Sequence, residues 1–170
     1  MMPRAWAPVP ALPDLLAVAV ALLALRATSR LGMWPYAIAA LPGTAMHEFA
    51  HWIVAWLLGA RPDFPSLRPQ RGPHGWRLGS VVFRAGFLRA VPIVLAPLLL
   101  FPLGWWWTLA FVAGAPWPMR ALHAWLAATF LSASLPSSAD WKIARPALVL
   151  LALLGGGLWF VTRSLAQAPP

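Results

Sequence analysis

The amino-acid sequence predicts an all-α membrane protein with about five transmembrane helices and a short strand or hairpin in a cytoplasmic loop. Hydrophobic residues make up 61% of the 170 residues, charged residues only 10%, and the mean hydropathy is +0.70. A soluble domain of this length has too little interior to bury so many apolar side chains, so the surrounding solvent must be lipid. We expect one membrane-embedded domain over residues 1–170.

The first apolar run predicts a helix over residues 11–27. A secretory signal peptide is the alternative, because a charged start followed by a short apolar stretch fits both. We favour a retained helix, since Asp14 and several prolines lie at the start of the run and no clear A-x-A cleavage site follows it.

The second apolar run, residues 33–60, is long enough to span a bilayer with some tilt. Pro42-Gly43 interrupts this run, and three ionisable side chains follow the interruption: His47, Glu48 and His51. Ionisable groups inside a spanning helix are costly, so they indicate a functional site by default.

The loop over residues 61–89 is rich in Arg, Pro and Gly. It holds six of the 13 basic residues of the chain: Arg61, Arg68, Arg71, Arg77, Arg84 and Arg89. Within this loop, the β-branched and aromatic content of Trp76–Phe83 predicts a strand or a hairpin. Basic loops of membrane proteins favour the cytoplasm, so we expect this loop on the cytoplasmic side.

The remaining apolar runs predict helices over residues 90–111, 118–135 and 146–162. The tryptophans Trp105–Trp107 look like an interfacial belt, and the uncharged connection after them is expected outside. Alternation of five spans then puts the amino terminus and Lys142 inside. The same alternation puts Arg26 and Arg30 outside, against the usual preference of basic residues.

The net charge of +9, from 13 basic and 4 acidic residues, also occurs in nucleic-acid-binding proteins. Here the basic residues lie beside apolar runs, as in loops that face anionic lipid, so we expect the lipid bilayer and no nucleic acid as a partner. The chain has no cysteine. This excludes disulfides, thiol catalysis and metal sites with cysteine ligands.

Residues His47-Glu48-Phe49-Ala50-His51 form the pattern H-E-x-x-H. On a helix, residues four apart share a face, so both imidazoles can reach one zinc ion. Glu48, the only glutamate in the chain, lies beside that ion, where a carboxylate can take a proton from water and return it to a leaving amine. The alternative is an interhelical polar clasp, in which these side chains only hydrogen-bond neighbouring helices.

A catalytic zinc site of this kind needs a third protein ligand and an open fourth position. The candidates for the third ligand are Asp14, Asp63, Asp140, His74 and His123. Asp140 is preferred because it follows a helix break at Pro136, and a broken helix is tolerated at membrane depth where it lines a cavity. Alternatively, Asp140 is a helix N-cap. We expect His123 to pack between helices and His74 to lie in an exposed turn.

With these residues in place, the chain resembles a divergent, minimal member of the site-2 protease family of intramembrane zinc metalloproteases. The resemblance rests on the H-E-x-x-H helix, on Asp140 near a later helix start, and on Arg89-Ala90-Val91-Pro92 and Ala96-Pro97-Leu98 after the basic loop. The family's usual Asp-Gly is here Asp140-Trp141, and the Asn-Pro that often precedes it is lacking.

The resemblance implies that His47, His51 and Asp140 bind one Zn²⁺ ion and that Glu48 is the general base on zinc-bound water. It implies a metalloprotease, a hydrolase that cleaves peptide bonds in or near the membrane-spanning segments of a membrane-protein substrate. We expect a multi-pass protein of a bacterial cell membrane, with its active site nearer the cytoplasmic side. The alternative is a non-catalytic metal-binding scaffold or assembly partner of the same fold.

Overall fold

The computed structural model describes residues 10–72 and 75–166, and most of them are helical. The described part of the chain contains seven α-helices: α1 (Leu12–Thr28), α2 (Met33–Ala39), α3 (Leu41–Leu57), α4 (Phe87–Leu95), α5 (Leu100–Trp107), α6 (Met119–Ala133) and α7 (Ser138–Ala166). Two short antiparallel strands, β1 (Gln70–Gly72) and β2 (Gly75–Arg77), lie in the basic loop. The predicted helical architecture with a small strand element in this loop is confirmed.

Among the described residues, three helical segments are long and apolar enough to cross a membrane: Leu12–Leu31, Phe87–Val112 and Ser138–Phe160. The second of these segments combines α4 and α5, which are joined by a 3₁₀ turn and followed by a π turn. Three is fewer than the five spans predicted from the apolar runs.

Two of the predicted spans are too short for a full crossing, one because a proline divides it and one because a proline follows its end. The span predicted over residues 33–60 is divided at Ala40 into α2 and α3; Pro42 has no N–H for the carbonyl of Ile38, so the helix bends there. α3 has 17 residues, and α6 has 15 and ends shortly before Pro136. Both fall below the roughly 20 residues of a full crossing.

The last helix starts earlier than predicted, at Ser138 instead of residue 146. The main-chain N–H of Ser137 donates to Oδ2 of Asp140 at 2.7 Å, and the N–H of Asp140 donates to Oγ of Ser137 at 3.3 Å. This reciprocal pair is a capping box, which satisfies main-chain N–H groups at a helix start. Asp140 therefore lies in the first turn of α7, three residues after Ser137, and the break between α6 and α7 covers residues 134–137.

α6 lies at the centre of the bundle, in contact with α1, α3 and α5. Oδ1 of Asp14, in the first turn of α1, lies 3.5 Å from Nε of Arg120, in the first turn of α6. Val18 of α1 then joins one apolar cluster with Ala124 and Ala127 of α6. Because their first turns meet and their later turns pack together, α1 and α6 run in the same direction.

α3 also runs in the direction of α6, since Gly43 packs on the main chain of Thr129 and, one turn later, His47 reaches Ala133. A Cβ atom on Gly43 would overlap the Thr129 carbonyl, so this close approach requires glycine. The predicted alternation of successive spans is therefore wrong for α1, because α1, α3 and α6 are parallel.

The end of α1 lies beside the basic loop. Ser29, Gly32 and Met33 line a cavity of about 220 Å³ together with Trp76 and Leu78 of that loop. Arg30 lies between two of these residues in the sequence, and Arg26 lies one helical turn before them. They therefore lie at the same end of the molecule as the six loop arginines, in agreement with the usual clustering of basic residues on one side.

The basic loop folds back on itself as an antiparallel ribbon. The N–H of Asp63 donates to the carbonyl of Val82, Ser66 and Ser80 exchange both main-chain hydrogen bonds, and the N–H of Arg84 donates to the carbonyl of Ala60. The predicted strand Trp76–Phe83 is thus extended, although only its first part belongs to β2. This ribbon carries residues 78–81 across α3.

Candidate metal centre

α3 projects His47 and His51 into a cavity of about 440 Å³. Nδ1 of His47 lies 2.7 Å from the carbonyl oxygen of Ala133, and Nδ1 of His51 lies 2.7 Å from that of Ile93. A carbonyl oxygen can only accept, so each Nδ1 atom carries the ring proton in a neutral imidazole. Each Nε2 atom is then unprotonated and has a lone pair available to bind a metal ion.

The Nε2 atoms of His47 and His51 and the carboxylate of Asp140 converge on the same part of the cavity. The two Nε2 atoms are 3.2 Å apart. Asp140 places Oδ1 3.5 Å from Nε2 of His51 and Oδ2 3.8 Å from Nε2 of His47. Electron pairs at such distances repel each other, and a cation between them turns this repulsion into coordination.

The spacing of these three groups fits a zinc ion. Two ligand atoms that lie about 2.1 Å from one ion at a tetrahedral angle are about 3.4 Å apart. The distances of 3.2, 3.5 and 3.8 Å scatter around that value, and suitable atoms of the three residues all lie within 4.8 Å of one another. Two imidazoles and one carboxylate are also a donor set of catalytic zinc sites.

Asp140 both caps α7 and forms a three-residue cluster with His47 and His51. Its Oδ2 atom accepts the N–H of Ser137, which fixes the plane of the carboxylate, while Oδ1 faces His51. The residue is 9% exposed. Partners that orient a ligand in this way tune metal binding, so the helix cap also acts as an orienting contact for the cluster.

Glu48 also lines the cavity and is only 7% exposed. It contacts the basic loop at Gly79: a Cβ atom there would lie 2.6 Å from Cγ and 2.7 Å from Oε1 of Glu48. Gly79 thus allows the main chain of the ribbon to lie directly on the glutamate side chain. This contact was not anticipated from the sequence, although a glycine within a strand pattern often marks a close backbone approach.

The other proposed ligands lie away from the cluster. Asp14 lies in the first turn of α1, paired with Arg120, and Asp63 is an exposed loop residue. The ring of His123 stacks on Phe111 with centroids 5.5 Å apart, in agreement with the expected packing role. His74 lies outside the described residues.

No protein-family model, curated protein or solved structure matches this chain.

We expect Gly79→Ala to lower the thermal midpoint of the protein, because the new methyl group must displace Glu48. Overpacking of this kind costs about 1–3 kcal/mol. Glu48→Ala removes the Cγ and Oε1 atoms that the new methyl group would overlap. Gly79→Ala should therefore cost much less stability in a Glu48→Ala background. A double-mutant cycle of thermal unfolding measures this coupling. Gly86→Ala is the control, since a Cβ atom there meets nothing within 4 Å; equal losses from Gly79→Ala in both backgrounds would contradict the contact.

Proposed function

We propose that this protein is a zinc-dependent intramembrane endopeptidase. The observation that carries the proposal is a buried carboxylate, Glu48, in the same cavity as three convergent metal-ligand groups but not one of them. A structural zinc site has no use for such a base and usually completes its coordination with a fourth protein ligand. Two imidazoles, one carboxylate and a separate base together favour hydrolysis.

Zinc, when held by His47, His51 and Asp140, supplies a Lewis acid that polarises the scissile carbonyl and acidifies a water molecule. Glu48 accepts a proton from the attacking water as the new carbon–oxygen bond forms. It then gives that proton to the amide nitrogen as the carbon–nitrogen bond breaks. One water is consumed, and one carboxyl and one amino terminus are produced.

The main-chain groups along the ribbon of the basic loop favour an extended peptide as the substrate. Ser80 uses its N–H and its carbonyl to pair with Ser66. Because antiparallel pairing alternates along a strand, the main-chain groups of Gly79 and Val81 point the opposite way, and both residues line the cavity. An unwound segment of a membrane protein can add as a strand along this edge and so pass beside Glu48.

We place the basic loop on the cytoplasmic side, following the charge rule. Since α3 leads into this loop, the parallel helices α1 and α6 also run toward the cytoplasm. Arg26 and Arg30 are then cytoplasmic, and the turn between α5 and α6 is external. The pair α2–α3, counted as one segment, and α6 complete a five-segment membrane domain together with the three longer spans. The amino-terminal Arg4, expected inside, lies outside the described residues.

Single-cysteine labelling tests this orientation, since the chain has no native cysteine. We expect Arg30→Cys and Arg71→Cys to be protected from a membrane-impermeant maleimide in intact cells and Trp117→Cys to react. All three side chains are exposed in the structure. Labelling of Arg30→Cys together with Trp117→Cys would show instead that the spans alternate.

Peptide hydrolysis is tested with membrane polypeptides captured on Glu48→Gln and then reconstituted with the wild type in lipid vesicles. We expect the zinc-loaded wild type to cleave at least one captured polypeptide within or beside its membrane segment. Removal of metal by a chelator should stop cleavage, and added Zn²⁺ should restore it. Zinc binding without cleavage of any captured polypeptide would favour the scaffold function instead.

A further inference from the structure

The imidazoles of His47 and His51 are each held by a main-chain carbonyl. In a regular helix such a carbonyl would accept a main-chain N–H of the same helix instead. In an α-helix the carbonyl of residue i accepts the N–H of residue i+4. Four residues after Ile93 comes Pro97, which has no N–H. The carbonyl of Ile93 accepts the N–H of Ala96 in a tighter turn, and its second lone pair is left for Nδ1–H of His51 at 2.7 Å.

A similar interruption occurs at the end of α6. Pro136, three residues after Ala133, has no N–H to continue the helix in a tighter turn. The N–H of Ser137, four residues after Ala133, donates to Oδ2 of Asp140 instead. The carbonyl of Ala133 therefore accepts Nδ1–H of His47, at 2.7 Å.

We propose that Pro97 and Pro136 are positioning residues of the metal centre. Each removes a main-chain donor that would compete for the carbonyl on which a ligand imidazole rests. Each thereby holds His51 or His47 in the tautomer whose Nε2 atom binds metal. This inference rests on the proposed metal centre but not on peptide hydrolysis. Partners of this kind typically change metal affinity about 10–100-fold when they are lost.

The chain provides a matched control in the same helix as Ile93. Pro92 also lies within α4, and it leaves the carbonyl of Leu88 without its helical donor. Leu88 is 83% exposed, whereas His51 is buried. Restoring an N–H at residue 92 therefore changes the helix in the same way without affecting the cluster.

The experiment compares the wild type with Pro97→Ala, Pro136→Ala and Pro92→Ala. Histidine ring nitrogens of the metal-free, ¹⁵N-labelled proteins in detergent micelles are observed by NMR, which shows which nitrogen carries the proton. We expect Pro97→Ala to change the tautomer of His51 alone and Pro136→Ala that of His47 alone. Zinc affinity should fall about 10-fold or more in both variants and stay at the wild-type value in Pro92→Ala.

Unchanged tautomers and zinc affinity in Pro97→Ala and Pro136→Ala would overturn the proposal. So would an equal loss of affinity in Pro92→Ala, which would indicate a general effect on the helices. Pro97 is fully buried, so Pro97→Ala could prevent folding. In that case the tautomer of His47 in Pro136→Ala alone supports or overturns the proposal. Neither measurement requires a substrate, so a protein without peptidase activity would still give a clear result.

Discussion

Replacing Asp140 by asparagine is expected to abolish tight zinc binding while leaving the fold intact. The amide oxygen of asparagine can still accept the N–H of Ser137, so the cap of α7 survives. The negative charge facing His47 and His51 is lost, however. Loss of a partner that only orients a ligand costs about 10–100-fold in affinity, so loss of a ligand should cost at least about 100-fold.

The measurement is the metal content of the purified protein, followed by a competition titration with a zinc-chelating dye. His47→Ala should show the same loss as Asp140→Asn. Asp63→Asn and His123→Ala are the matched controls, because these residues have the same chemistry but lie away from the cluster. Full zinc occupancy in Asp140→Asn, with a loss in Asp63→Asn, would show that Asp63 and not Asp140 is the third ligand.

Asp140→Ala should have a further effect that Asp140→Asn lacks. Without an acceptor at residue 140, the N–H of Ser137 is released and can return to the carbonyl of Ala133. It would then compete with Nδ1–H of His47 for that oxygen. Loss of the cap itself should lower the free energy of unfolding by about 1 kcal/mol. The alanine variant is therefore expected to be less stable than the asparagine variant in thermal unfolding.

The parts of the site that depend on local geometry were predictable from the sequence. Two histidines four residues apart on a helix must share a face, whatever else the chain does. Asp140 was identifiable because carboxylates are few and a helix break precedes it. Its position in a capping box was also readable, since Ser137-Ser138-Ala139-Asp140 matches the S-x-x-D pattern in which serine and the acidic residue cap each other.

The remaining contacts join residues far apart in the chain, and no local pattern specifies them. The carbonyls that hold His47 and His51 are 86 and 42 residues away. The direction of α1 follows from the contact of Asp14 with Arg120, which an alternating topology would place at opposite ends. Hydropathy measures how apolar a run is, but not where a proline interrupts its hydrogen bonds, so the apolar runs overstated the number of full spans.

The largest effect on catalysis is expected from Glu48→Gln. Glutamine has nearly the size of glutamate and can lie in the same place beneath Gly79, so the ribbon should not move. It cannot accept the proton of the attacking water. We therefore expect the cleavage rate of a captured membrane polypeptide to fall about 10²–10⁴-fold, as is typical for the loss of a general base. Zinc content and the thermal midpoint should stay near the wild-type values, because Glu48 is not a ligand.

The rate is measured in single-turnover experiments with zinc-loaded protein in lipid vesicles, so that product release does not mask the chemical step. Asp63→Asn is the matched control, a carboxylate-to-amide change on an exposed loop residue that should leave the rate unchanged. Gly79→Ala, which displaces the carboxylate without removing it, should give a smaller loss than Glu48→Gln. If Glu48→Gln retains zinc and still cleaves at the wild-type rate, then Glu48 is not the base, and another group must take the proton from water.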